Sequence, residues 1–199
     1  MKLREMIVDG RLAAGSAINE VHLAREMGVS RTPLREALSS LVSEGAIVQI
    51  PRRGFFVREL TIEEAQDIYM IRPVLDAEAL RLSGLPSKEE LQELQELTDA
   101  LRKSTDVLES IRLDDEWFMA AWRNCPNQAL IALIHQFMLK TRRYELAAMS
   151  QARIVASSSQ SKQKIVDALR KGDLDEACRR MRLSLERGLI PVVEWLESR

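Results

Sequence analysis

Leu23-Ala24-Arg25-Glu26-Met27-Gly28-Val29-Ser30, continuing into Arg31-Thr32-Pro33-Leu34-Arg35-Glu36-Ala37-Leu38-Ser39-Ser40-Leu41, reads as a short helix, a glycine break and a second helix. Gly28 suits the tight turn because glycine takes positive φ without a Cβ penalty. Ser30 is placed to cap exposed amides, and Pro33 falls in a first turn whose N–H groups have no intrahelical partner. Leu34, Leu38 and Leu41 recur at i, i+4 and i+7, which predicts one buried stripe. Ser30, Arg31, Thr32 and Arg35 fall off that stripe near the helix start. A helix presenting arginine and hydroxyl groups at its N-terminal end is suited to a DNA major groove.

Outward from this core, Ala46-Ile47-Val48-Gln49-Ile50 and Phe55-Phe56-Val57-Arg58 are short β-favouring runs around Pro51-Arg52-Arg53-Gly54. Arg52, Arg53 and Gly54 form a basic tip able to approach a phosphate backbone or the minor groove. Alone, two arginines at a turn read as a solvated surface; beside a helix-turn-helix they read as a wing.

Charge is unevenly spread. The net charge is −1, but residues 1–60 hold nine Lys and Arg against seven Asp and Glu, while the rest of the chain is acidic. That fits phosphate contact by the first segment only. Cys125 and Cys178 have no metal or redox spacing and are expected as reduced thiols. No apolar run reaches the ~20 residues of a membrane span, and no signal segment is present, so a cytoplasmic location without membrane attachment is expected.

Beyond the hairpin the pattern is helical throughout. Thr61-Ile62-Glu63-Glu64 and Ser87-Lys88-Glu89-Glu90 have capping-box spacing. Ala65, Ile68, Ile71, Leu75, Ala79 and Leu82 supply one apolar stripe, with Pro73 expected to kink or divide that helix. Leu91, Leu94, Leu97 and Leu101 form the next. Helices are expected from Val107 to Asn124, from Gln128 to about Ser150, from Gln160 to Lys171 and from Asp173 onward, with Ser157-Ser158-Ser159 as a loop. The fold expected is mainly α: a winged helix-turn-helix with a small β-hairpin at 1–60, then an all-α bundle of about six or seven helices at 61–199.

Gly28-Val29-Ser30-Arg31-Thr32-Pro33-Leu34-Arg35-Glu36-Ala37-Leu38, with Leu41, Glu44-Gly45 and Pro51-Arg52-Arg53-Gly54, resembles the winged-helix domain of GntR-family regulators. Asp67-Ile68-Tyr69 to Arg72, Leu75-Asp76, Asp114 to Asn127 and Ile165 to Met181 are similar to the helical FCD-type domain of the FadR-like branch. The resemblance implies a homodimer joined through the helical body, reading double-stranded DNA at a palindromic operator through Ser30, Arg31, Thr32, Arg35, Arg52, Arg53 and Gly54. It also implies a more extended first helix than Leu3 to Val8 provides, so the DNA-binding head is expected to be less well supported; Val21 stands where some relatives place a basic DNA contact.

Many family members hold a metal with one Asp and three His. Against that pattern Asp114 is kept, while Phe118, Lys162 and Ser184 stand at the three histidine positions. Phenylalanine offers no lone pair, serine is a poor neutral ligand and a lysine ammonium repels a divalent cation, so neither metal nor other cofactor is expected. His135 and His22 are expected as ordinary core or surface residues. What the resemblance implies instead is a small carboxylate or acyl effector near Asp114, Phe118, Lys162 and Ser184, with Lys162, Arg142 and Arg143 as candidate anion partners. Guanidinium pairs bidentately with carboxylate, although both arginines fit a solvated helix face equally well. Trp117, Phe118 and Trp122 read foremost as core. A ligand-silent body acting through dimerisation or protein partners is the alternative. No nucleophile lies beside a base and no phosphate-cradling glycine loop occurs, which argues against an enzyme.

Overall fold

The computed structural model describes residues 3, 6–7, 10–43, 45–148 and 153–198. The chain divides into two compact units, Met1–Thr61 and Ile62–Arg199.

In the first unit, α1 (Glu20–Met27) and α2 (Arg31–Ser43) precede an antiparallel hairpin of β1 (Ile47–Ile50) and β2 (Gly54–Val57). Helix α1 begins before the expected Leu23 because Asn19 caps it, its side chain accepting from the His22 N–H at 3.0 Å. Gly28 ends the helix at φ 68°, donating its N–H to the Ala24 and Arg25 carbonyls. Leu34, Leu38 and Leu41 are buried as one stripe with Leu23, Ile47, Phe55 and Val57. Leu3, Met6 and Ile7 join this core; the other residues of the expected helix from Leu3 to Val8 lie outside the described residues. A further short segment pairs along the free edge of β2. The Ile18 N–H donates to the Phe55 carbonyl at 2.8 Å and the Val57 N–H to the Ser16 carbonyl at 2.9 Å. The edge strand is thereby paired rather than exposed.

The second unit contains α3 (Ile62–Ser83), α4 (Lys88–Lys103), α5 (Val107–Ala121), α6 (Gln128–Ala148), α7 (Arg153–Arg170) and α8 (Leu174–Glu197). Ser87 and Glu90 form the expected capping box in full. Helices α3 and α7 pack along α8, α4 lies against α5 and α7, and α6 packs on α3. The core between them holds Leu80, Leu94, Trp117, Phe118, Trp122, Ile134, Ile165 and Met181. No helix among the described residues is long and apolar enough to cross a membrane.

Two local expectations are corrected. Pro73 does not divide its helix: α3 is continuous from Ile62 to Ser83 with Pro73 buried inside it, the packing against α6 and α8 offsetting the one backbone hydrogen bond that proline removes. Ser157-Ser158-Ser159 is not a loop but part of α7. Serine's weak helix propensity is overridden there by tertiary contacts, since Ser159 is buried and the Ser158 hydroxyl donates to Asp114 at 2.6 Å. The expected end of α6 at Ser150 lies outside the described residues.

Candidate DNA-binding face and effector cavity

Burying Leu34, Leu38 and Leu41 turns the opposite face of α2 outward, so Ser30, Arg31, Thr32 and Arg35 are all exposed on its N-terminal half. Arg35 is the most constrained of them. Its Nε lies 3.3 Å from a Glu20 carboxylate oxygen and its guanidinium 5.9 Å from the Phe55 ring centroid. One contact comes from α1 and the other from β2, so the neighbouring elements aim the side chain. These positioning partners, Glu20 and Phe55, were not legible as such in the sequence, because neither contact is local.

The wing tip has an unusual backbone. Arg52 adopts φ 64°, a left-handed conformation that few side chains take, and Gly54 follows at φ 92°. The Arg53 N–H closes the turn onto the Ile50 carbonyl at 3.0 Å. Arg53 lies over the Phe56 ring, 5.3 Å from its centroid, while Arg52 projects as an exposed cation. Val21 is 64% exposed at the start of α1. The head thus presents arginines on a helix and at a hairpin tip, with Arg35 set over Phe55 and Arg53 over Phe56.

In the helical body a cavity of about 450 Å³ opens between α3, α5, α6, α7 and α8. Of the six residues expected around an effector, Asp114, Phe118, Lys162 and Ser184 line it together. Lys162 is 1% exposed. Its ammonium donates to Asp114 at 2.5 Å and to the Ser158 hydroxyl at 3.1 Å, and lies 4.3 Å from the Phe118 ring centroid. Lys162 thus lines the cavity already paired with Asp114. Arg142 and Arg143 are corrected: neither is among the lining residues. Arg142 forms an ion pair with Asp115, and Arg143 is buried within the bundle. The i, i+1 spacing of α6 cannot aim both at one cavity, and Asp115 captures the first.

Charged and polar residues that sequence reasoning did not assign surround the site. Arg72 is buried, donating to Asp76 at 2.9 Å and to the Thr141 hydroxyl at 3.1 Å, with its guanidinium 5.5 Å from the Phe118 centroid. Burial raises the Asp76 pKa against the pull of Arg72. Tyr69 and Glu145 also line the cavity. Burial, then the neighbouring Asp114 carboxylate, pushes the Glu145 pKa up; burial and Glu145 do the same for the Tyr69 hydroxyl. A signal for Arg72 and Asp76 did exist: a charged pair at i, i+4 among Ile68, Leu75 and Ala79, in a run otherwise patterned for burial.

The metal that many FCD-type domains carry does not fit these residues. The ammonium of Lys162 occupies the Asp114 carboxylate, Phe118 contributes only a ring face, and no group of three His, Cys, Asp or Glu among the described residues is arranged to hold an ion. His135 and His22 are both exposed.

A winged helix-turn-helix carrying exposed arginines, followed by an all-helical sensor-like body, defines a DNA-binding transcriptional regulator. Residues 1–57 match the family of bacterial regulatory proteins named gntR, and residues 67–187 match the FCD domain. The chain belongs to the GntR family. It is 32% identical over 142 residues to the Nta operon transcriptional regulator of Aminobacter aminovorans, covering 69% of this chain and 67% of that protein. Against the HTH-type transcriptional regulator YdhC of Bacillus subtilis it is 36% identical over 121 residues, 58% of this chain and 54% of the relative. The matched region thus spans between half and two thirds of these relatives. The solved structure of Escherichia coli McbR/YncC shares the fold at a TM-score of 0.83, with 22% identity and coverage of 97% and 94% of the two chains.

Proposed function

We propose that this regulator acts in the cytoplasm as a homodimer on a palindromic operator, with its DNA affinity set by a small organic anion, a carboxylate or acyl derivative, held in the helical body without a metal. The observation that carries the effector reading is the cavity itself, walled by Phe118, Leu185 and Pro191 and edged by the exposed cations Lys164 and Arg187. Dimerisation is supported by Met70, Ile71 and Val74, apolar side chains 74%, 38% and 46% exposed on α3. Two copies related by a two-fold axis present two recognition helices to two half-sites.

On this reading Arg31 and Arg35 approach base edges or phosphates from α2, Ser30 and Thr32 donate to phosphates, and Arg52, Arg53 and Gly54 hold the wing against the backbone. The effector alters DNA affinity only if it binds one arrangement of the two heads better than another. Fluorescence anisotropy on duplex from the chain's own upstream region, with and without a panel of small carboxylates, tests the coupling. A carboxylate that shifts the DNA affinity supports it; specific DNA binding indifferent to the whole panel refutes it.

A further inference from the structure

We propose that the cavity reads its ligand with the anion outermost: an uncharged hydroxyl or carbonyl group lies at the inner end against Tyr69 and Glu145, and the carboxylate lies at the mouth between Lys164 and Arg187. The effector class is then a hydroxy- or oxo-carboxylate with an apolar spine. This rests on the reading that the body binds an organic anion.

The inner end has no cation to offer. Arg72 is paired with Asp76 at 2.9 Å, Lys162 with Asp114 at 2.5 Å, and Arg142 with Asp115. Three buried or half-buried cations thus meet three carboxylates one to one. Glu145 is the lining carboxyl with no ion-pair partner among the described residues, and burial, then Asp114, raises its pKa against the pull of Arg72, Lys162 and Arg142. A ligand carboxylate placed here would add a negative charge beside Asp114, competing for an ammonium already engaged. A ligand ammonium would meet the Lys162 ammonium, which lines the cavity. A neutral hydrogen-bonding group meets neither obstacle.

Tyr69 supplies the partner for it. The residue is 4% exposed and lines the cavity; its hydroxyl lies near the Glu145 carboxyl but makes no hydrogen bond of good geometry among the described residues. A buried polar group left in this way costs free energy that a ligand hydroxyl or carbonyl would recover. Gly188 holds the ring in place: a Cβ there would stand 2.9 Å from Tyr69 Cε1, so only glycine lets the ring lie against α8. At the mouth, Lys164 and Arg187 are exposed and engaged in no ion pair among the described residues. Phe118, Leu185 and Pro191 add apolar lining to the same cavity.

Isothermal titration of the full chain with octanoate, ω-hydroxyoctanoate, octanedioate and ω-aminooctanoate separates the possibilities. The ω-hydroxy acid is expected to bind about tenfold tighter than octanoate, the worth of one well-formed buried hydrogen bond. Tyr69→Phe should erase that advantage, bringing the ω-hydroxy acid to the same affinity as octanoate. A joint Lys164→Ala and Arg187→Ala variant should weaken both acids by the same factor. Tightest binding of the diacid or the amino acid, or equal binding of octanoate and its ω-hydroxy form by the native chain, would overturn the proposed orientation while leaving the anion reading intact. No carboxylate binding by a chain that still binds DNA would remove both.

Discussion

Replacing Asp76 with alanine leaves the Arg72 guanidinium buried without its counter-ion. The two side chains are 4% and 0% exposed and meet at 2.9 Å. After truncation the guanidinium keeps the Thr141 hydroxyl, the face of Phe118 and the longer-range pull of Glu145. All three exist in the native chain already, so they do not compensate for the loss. Breaking one half of a buried ion pair costs about 3–5 kcal/mol, whereas exchanging both halves for apolar groups is commonly neutral or stabilising. Trp117, Trp122 and Trp195 all belong to the helical body, so tryptophan fluorescence in urea follows that unit. With a slope of about 2 kcal/mol per molar urea, the midpoint should fall by about 1.5–2.5 M. The double variant Arg72→Met, Asp76→Leu should return to the native midpoint or exceed it. A single variant within about 0.5 M of native, or a double variant as weak as the single, would refute the view that an uncompensated buried charge is what matters here.

Stability of the body should also fall as pH rises. Glu145 is held above its ordinary value of about 4.3, so across that window the folded state binds a proton the unfolded state has released, and unfolding becomes easier with increasing pH; Asp76 acts in the same direction. Thermal melts of Glu145→Gln should show a shallower decline, and an unchanged slope would count against the assignment. In the head, Leu38 is fully buried, so Leu38→Ala should cost about 2–5 kcal/mol and abolish DNA binding at moderate temperature, measured by anisotropy beside a circular-dichroism melt. Arg52→Ala should weaken binding evenly across sequences and reduce the salt slope by about one unit, with a sequence-dependent loss pointing instead to base contact.

The DNA-binding head was legible because its signals are local. Gly28 at a turn, three leucines at helical spacing and Arg52-Arg53-Gly54 between two β-favouring runs each act over a few residues, and the observed elements fall on them. What escaped is carried by contacts distant in the chain: the edge pairing of Ala17 with Phe56, and the aiming of Arg35 by Glu20 and Phe55. In the body, Asp114, Phe118, Lys162 and Ser184 were brought to one cavity by a resemblance in spacing, not by any property readable from each residue. Their electrostatic surroundings are set by partners far away in the chain. Asp114 holds Lys162 and Asp115 holds Arg142, each carboxylate coming from another helix. Composition misled at Ser157-Ser158-Ser159, where packing of α7 outweighs serine's preference for loops.

The central claim is that the exposed N-terminal face of α2 reads DNA sequence. The most direct test is anisotropy of the native chain and of Arg35→Ala on a duplex from the chain's own upstream region and on a scrambled duplex, at one fixed salt concentration. The account predicts a clear preference for the upstream duplex in the native chain and its loss by about 1–3 kcal/mol in the variant, with binding to the scrambled duplex little changed. Equal losses on both duplexes, or no preference by the native chain, would contradict it.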